Sequence, residues 1–245
     1  MNLKSAVLSA DGADGADPKG SFRNWIRGLL GMVCAGTALA GPVEEAVVER
    51  WMASATNLVT WQATVVQTRH LQALTQPLVS TGRVWFAAPN SFRWELGVPP
   101  QSLALRSGDE LVVLSPRLRR AERHSLGSSG PGPMNDLMAL LDAGFPRDLA
   151  GFRRRFDLSG VVTNAAGVIL RMRPQEASAR RMLPALALEL DASGQQLKAT
   201  EMTFADGSRL RNDFSNVITN APLSDALFRT NLDAGWKVSG GKKSP

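Results

Sequence analysis

Turn residues recur along this chain at short, fairly even intervals, and no stretch alternates strand with helix. That punctuation limits the possible folds more than any single motif does. LVTWQATVVQTRHLQAL, which follows Asn57, is rich in Val, Thr and Trp and reads as a strand. Pro77 breaks it, and a second strand is predicted from Leu78 to about Ala88. Pro89-Asn90, Pro99-Pro100, Ser107-Gly108 and Ser115-Pro116 then separate strands expected at Phe92–Leu96, Gln101–Arg106, Glu110–Leu114 and Leu118–Ser125. Five more are expected at Arg155–Leu158, Val168–Arg173, Leu183–Leu190, Gln196–Phe204 and Ser208–Ile218, with hairpin-type turns among them. Such a pattern predicts a mainly β fold, one strongly curved or barrel-like antiparallel sheet of about ten or eleven strands.

Two helices are expected beside it. PVEEAVVERWMASA, Pro42 to Ala55, repeats apolar residues at three- and four-residue steps and carries Glu44 and Glu45 in its first turn. MNDLMALLDAG follows the flexible break GSSGPGP (Gly127 to Pro133) and sets Met134, Leu137, Met138 and Leu141 at helical spacing, with Gly144 as its stop. Methionine adapts its shape to irregular apolar partners, and Met52, Met134 and Met138 all lie on these helices.

The N-terminus resembles an export signal. Arg23 and Arg27 precede GLLGMVCAGTALA, an uncharged run too short to span a bilayer comfortably, and it ends small-x-small at Ala38-Leu39-Ala40. Residues 1–40 are therefore expected to be a signal peptide cleaved after Ala40, leaving a domain at 41–238 and a flexible tail at 239–245. The polar ADGADGADPKG ahead of the run makes either a long n-region or a start further downstream. Cys34 is the only cysteine and sits inside the run, where Gly31-Met32-Val33 lacks the Leu and small-residue pattern of a lipobox. A mature chain without cysteine has no disulfide, thiol nucleophile or zinc-thiolate site.

Chemistry-bearing residues are sparse. The chain has 245 residues, 44% of them hydrophobic and 20% charged, with a formal charge of +6. This excess suits weak attraction to an anionic surface and is too diffuse for nucleic-acid binding. His70 and His124 are the only histidines and stand in no motif. No G-x-S-x-G elbow, phosphate-cradling loop or metal-ligand spacing occurs, so neither a catalytic residue, a metal site nor a cofactor is predicted.

The large apolar side chains gather instead in GRVWFAAPNSFRWEL, Gly82 to Leu96. Alternation along a strand puts Val84 and Phe86 on one face, and Phe92 and Trp94 share a face of the next strand. Leu103 and Leu105 continue the apolar pattern. Composition alone favours reading these residues as ordinary core. The other reading is a cavity wall, because a curved sheet needs its concave face covered and only two helices are on offer.

GRVWFAAPNSFRWELGVPPQSLALRSGDELVVLSPRLRRAE resembles the signature region of the periplasmic outer-membrane lipoprotein carriers, the LolA family. A glycine, an alternating apolar strand, a proline, Phe-x-Trp and successive Pro-bearing turns come in the same order. LALELDASGQQLKATEMTFADGSRLRNDFSNVITNAPLSDALFRTN is similar to the family's C-terminal half, so the resemblance spans roughly Val43 to Val238. It implies an unclosed, strongly curved antiparallel barrel covered by short helices as a lid. The activity implied is non-enzymatic: a periplasmic, monomeric chaperone that takes acylated lipoproteins from an inner-membrane transporter to an outer-membrane acceptor, with transient membrane-surface contact and no cofactor. On this reading Val84, Phe86, Phe92, Trp94, Leu103 and Leu105 line the lipid-binding cavity, and Met134, Leu137, Met138 and Leu141 form the lid. The family's latch arginine, just before the first proline, is replaced here by Ala88, with Arg83 or Arg93 as candidate substitutes.

At ~0.8 kcal/mol per buried methylene, three chains of ~16 carbons would contribute ~38 kcal/mol, well above the practical affinity ceiling near ~20 kcal/mol. A carrier that releases its load must bury only part of each chain. A related glycolipid or aryl-polyene cargo, an outer-membrane-anchored acceptor lipidated at Cys34, and an exported hydrolase are the other readings. Mass spectrometry of the exported protein separates the carrier from the anchored acceptor: a start at Gly41 is expected, and an acylated Cys34 would mark the anchored form.

Overall fold

The computed structural model describes residues 42–126 and 144–240. Helix α1, Pro42–Thr56, opens them with Glu44 and Glu45 in its first turn, where carboxylates complement the helix dipole. It stops where polar side chains turn back on the last carbonyls: the Thr56 hydroxyl donates to Met52 O (2.9 Å) and the Asn57 amide to Ala53 O (2.8 Å). Val47, Val48, Trp51, Met52 and Ala55 are buried. Their three- and four-residue steps put them on one side of α1.

Six strands follow: β1 (Thr60–His70), β2 (Leu78–Ala87), β3 (Ser91–Leu96), β4 (Ser102–Ser107), β5 (Glu110–Ser115) and β6 (Arg120–Ser125). From residue 144 onward come helix α2 (Leu149–Arg155), β7 (Phe156–Asn164), β8 (Gly167–Pro174), helix α3 (Ala177–Met182), β9 (Ala185–Leu190), β10 (Leu197–Thr203), β11 (Arg209–Thr219) and β12 (Lys237–Gly240). All twelve strands form one sheet in the order β12-β6-β5-β4-β3-β2-β1-β11-β10-β9-β8-β7. The sheet stays open, with β12 and β7 as its two edges. Register shifts in β1/β11, β9/β10 and β7/β8 mark bulges, which sharpen twist and curvature.

The strand pattern read from the sequence is present, with additions. β12 is a twelfth strand and pairs parallel to β6 from Lys237 opposite Arg120 to Gly240 opposite Arg123. Its four residues are exposed and carry no alternation, so nothing local announces it. It is placed by Lys237 N–H donating to Arg119 O (2.8 Å) and by the Arg119–Asp233 ion pair. Helix α2 begins at Asp148, whose carboxylate accepts from Gly151 N, and supplies Phe152 to the core. Its stretch reads in sequence only as the approach to a strand. The helix expected from Met134 lies outside the described residues. Among the described residues, no helix is long and apolar enough to cross a membrane.

The two faces of the sheet bury different clusters. The inner face, under α1, collects Trp61, Val65, Val84, Phe86, Leu170, Leu188 and Phe214 with the α1 residues and Phe152. The outer face of β4–β6 carries a smaller cluster of Leu103, Leu105, Val112, Leu114 and Ala121, against which Leu232 and Trp236 pack. Elsewhere the outer face is polar: Arg211 on β11 forms a bidentate pair with Glu189 and reaches Asp213 at 2.8 Å. Its hydrogen bond holds the Glu189 carboxyl below the usual carboxylate range.

Gly82 is required by close approach of backbone. A Cβ there would lie 1.8 Å from Glu95 O on β3. Gly160 on β7 has no atom within 4 Å of the same point. Gly82→Ala is therefore expected to cost ~1–3 kcal/mol, whereas Gly160→Ala should stay within ~0.5 kcal/mol. Urea-unfolding midpoints of the two variants check this.

Candidate functional site

An aromatic chain runs along the inner face. Phe86 on β2 stacks on Phe145, with centroids 4.3 Å apart and planes 7° apart. Phe145 meets Trp61 on β1 edge-on at 5.2 Å, and Trp61 meets Phe214 on β11 at 5.2 Å. Trp94 on β3 approaches Phe214 edge-on at 6.0 Å. Trp51 on α1 sets its ring against Phe152 at 5.3 Å, joining the helix to α2. Edge-to-face contacts of this kind bring the positive ring edge to the negative face.

Phe145 is the unusual member, because it belongs to no strand or helix of the sheet's wall yet fills a seat between Phe86 and Trp61. Arg147, two residues on, fixes it from outside. Its guanidinium donates to Pro89 O through Nε (3.1 Å) and Nη2 (2.8 Å) and to Leu58 O through Nη1 (3.5 Å). The guanidinium carbon also lies 5.1 Å from the Phe86 ring centroid, within cation–π range.

Below Phe145 lies a cavity of about 290 Å3, walled by Trp51, Leu58, Trp61, Phe145 and Leu197. Its rim is polar: Ser54, Asp191, Gln195 and Thr219. Asp191 spends its acceptors on its own turn, taking bonds from Gln195 N (2.9 Å), Gln196 N (3.0 Å) and Ser193 Oγ (2.8 Å). Desolvation pushes its carboxyl up, but these bonds and the charge of Lys198 outweigh it and hold the group below its ordinary value. The rim carboxylate is thus a structural anion.

The residues singled out in the sequence divide between the two faces. Val84 and Phe86 are buried in the inner cluster, and Val84 opposes Trp94 while Phe86 opposes Phe92. Trp94 packs on that cluster, and its indole N–H is the one buried side-chain polar group without a partner among the described residues. Leu103 and Leu105 are not with them. The register pairs Leu103 with Glu95 and Leu105 with Arg93, and both leucines belong to the outer cluster. Met134, Leu137, Met138 and Leu141 lie outside the described residues.

Arg83 and Arg93 do not reach the inner face either. Arg93 is bound to Glu95 and donates to Leu227 O (3.1 Å), and Arg83 is exposed opposite Glu95. The guanidinium beside Ala88 is that of Arg147, which comes from the facing segment. Phe145 and Arg147 were missed in the sequence reading. The signal there is Gly144-Phe145-Pro146-Arg147, a lone aromatic held between Gly and Pro. His70 is exposed at the end of β1, and His124 on β6 faces Glu122 at 3.8 Å, far from each other along the sheet order. No three His, Cys, Asp or Glu side chains converge among the described residues.

The family profile described as outer membrane lipoprotein carrier protein LolA matches residues 56–231. No curated protein matches the chain. Among solved structures it is similar to an uncharacterized conserved protein from Thermus thermophilus, at 12% identity over 79% of this chain and 98% of that one, TM-score 0.47. A putative outer membrane lipoprotein-sorting protein domain from Vibrio parahaemolyticus aligns at 11% identity over 75% and 94%, TM-score 0.44. A LolA superfamily protein from Nitrosomonas europaea aligns at 12% identity over 76% and 97%, TM-score 0.41.

The lowered Asp191 carboxyl gives the site an acid dependence. A group whose folded value is depressed contributes stability that is present above the unfolded carboxylate value and lost as pH falls through the folded one. Asp191→Asn is expected to lower the melting temperature near neutral pH and to shrink the difference from the parent protein as pH drops below the ordinary carboxylate range. Thermal melts across that range test it; a constant offset at every pH would contradict the assignment.

Proposed function

The chain belongs to the outer membrane lipoprotein carrier protein LolA family, and on that premise we propose that it is an exported carrier that binds acyl chains on its inner face. The supporting observation is the seat of Phe145: an aromatic ring from outside the wall occupies the space between Phe86 and Trp61, beside a cavity lined by Trp51, Leu58 and Leu197 and rimmed by polar groups. A side chain in that position keeps the greasy site dry when empty and gives way to cargo. The work of the site is binding and release, with no catalytic step.

The dimensions favour partial burial. About 290 Å3 lies at the small end of the ~300–1,000 Å3 usual for small-molecule sites. The site as it stands takes one segment of a chain, and displacement of Phe145 extends it toward Phe86, Phe92 and Trp94. The unpartnered indole N–H of Trp94 offers a donor for an ester or amide carbonyl of an acylated molecule. In this reading residues 1–40 are the export leader, residues 41–238 the carrier, and Arg147 takes the part of a latch from the opposite side of the seam. The carrier would pass lipoprotein, or a related lipid, between inner and outer membranes.

Two variants test the reading against an apolar fluorescent probe such as ANS. Phe145→Ala is expected to lower stability by ~1–3 kcal/mol, less than a fully buried Phe truncation because this side chain is only partly covered, yet to raise probe affinity. Arg147→Ala should speed both association and release in stopped-flow mixing while leaving the far-UV spectrum unchanged. If neither the parent protein nor Phe145→Ala binds probe, the inner face is closed core and the carrier reading fails. Lipid extraction and mass spectrometry of protein purified from its own host would name the cargo.

A further inference from the structure

The hairpin between β1 and β2 ends in a patch that the inner-face cavity does not explain. Leu71, Leu74, Leu78 and Val79 are 39%, 46%, 49% and 58% exposed. These four crowd into nine consecutive residues at one tip. Val98, 89% exposed, sits in the β3–β4 turn at the same end of the sheet.

Along β1 a polar stretch separates the tip from the core. On the inner face, one step past the fully buried Val65, the three neighbouring strands β1, β11 and β10 carry a polar belt. Gln67 is buried and its amide donates to Asn212 Oδ1 (2.9 Å); Asn212 is buried in turn and donates to Thr200 Oγ1 (3.1 Å). Arg69 closes the belt by donating to Gln67 Oε1 (3.0 Å). Along β1 the exposed residues lie beyond it, separated from Val65 by satisfied polar groups, while on β9 and β10 the core runs on to Leu186 and Met202.

The tip also stands clear of its neighbour on one side. The ladder of β2 with β3 ends at Gly82 opposite Leu96, with one more bond from Gly97 N to Thr81 O (2.7 Å), so Leu78 to Ser80 run on past it by roughly 10 Å at the rise of an antiparallel strand. Leu78 is in register with Arg69 and Val79 with Thr68, so apolar side chains leave the hairpin on both of its faces. At its base are Arg69 and, opposite His70 on β11, Arg209, both exposed. Neither forms an ion pair among the described residues. The nearby Asp206 spends its oxygens on Ser208 N (2.9 Å) and Ser208 Oγ (3.0 Å).

We propose that the β1–β2 hairpin is an interfacial anchor: Leu71, Leu74, Leu78 and Val79 enter the acyl boundary of an anionic bilayer while Arg69 and Arg209 remain among its headgroups. A protein groove grips one face of an inserted segment, whereas a fluid interface wets a wedge on every side. The guanidinium collar matches the negative potential of anionic lipid, and the chain's charge of +6 has the right sign for long-range attraction. The inference goes beyond the carrier reading and does not depend on it, because the cavity residues Trp61 and Asp191 stand at the other end of the strands. Insertion at the tip holds the cavity rim away from the membrane, turned toward a partner in solution.

The test uses the full chain with Cys34→Ser and one new cysteine carrying an environment-sensitive fluorophore. Leu74→Cys reads the tip, and Ala166→Cys, in the exposed β7–β8 turn at the opposite end, is the control. Vesicles are phosphatidylcholine alone or mixed with phosphatidylglycerol, with nitroxide-labelled acyl chains as quenchers. Blue-shifted emission and quenching at position 74, absent at position 166 and weakened by added salt, are expected with the anionic vesicles. Leu71→Ser with Leu78→Ser should lower the bound fraction roughly tenfold or more, with circular dichroism unchanged. Three results would overturn the proposal: no response at position 74 in either vesicle; equal responses at both positions; or a concentration-dependent shift at position 74 without lipid, which would assign the tip to a second copy of the chain. The Leu74→Cys reading keeps both leucines, so it decides the matter even if the double variant misfolds.

Discussion

A curved sheet that does not close must have its inner face covered, and every other feature of this protein follows from how that cover is made. α1 supplies one part through Trp51, Met52 and Ala55, which are almost wholly removed from solvent. Apolar burial of this kind is the dominant favourable term in folding, and the Trp51–Phe152 contact extends it to α2. Between Phe86 and Trp61 the cover is the ring of Phe145, which belongs to no strand or helix among the described residues.

The two ends of the strands are chemically unlike. At one, Trp61 and Leu197 reach a rim of Asp191, Gln195 and Thr219, and the cavity opens. At the other, Gln67, Asn212 and Thr200 link side chain to side chain across β1, β11 and β10. Buried polar groups are tolerated only when each finds a partner, and this chain of bonds meets that condition.

The outer face has its own division of labour. Arg211 on β11 joins Glu189 on β9 and lies 3.8 Å from Glu201 on β10, tying the three strands together in a half-solvated setting. On β4 to β6 the same face is apolar and is roofed by Leu232 and Trp236 of the C-terminal segment, which then adds β12 to the sheet edge. An edge strand left unpaired invites association with other chains, and the added strand covers it.

The sequence by itself determined the strands, their turns, α1 and the pairing partners of the hairpin Gly82–Leu96, because alternation and turn chemistry are local. Val84, Phe86 and Trp94 accordingly lie on the predicted inner face. Which face Leu103 and Leu105 take was decided only by register, since alternation says which residues travel together and not which way they point; Trp94 opposite Ala104 sends both leucines outward. β12 and α3 are short and unpatterned, and tertiary contacts specify them. The same holds for the heart of the site. Phe145 and Arg147 meet Phe86, Trp61 and Pro89 across many intervening residues, and a side chain's seat in another element's wall leaves no periodic trace in its own neighbourhood.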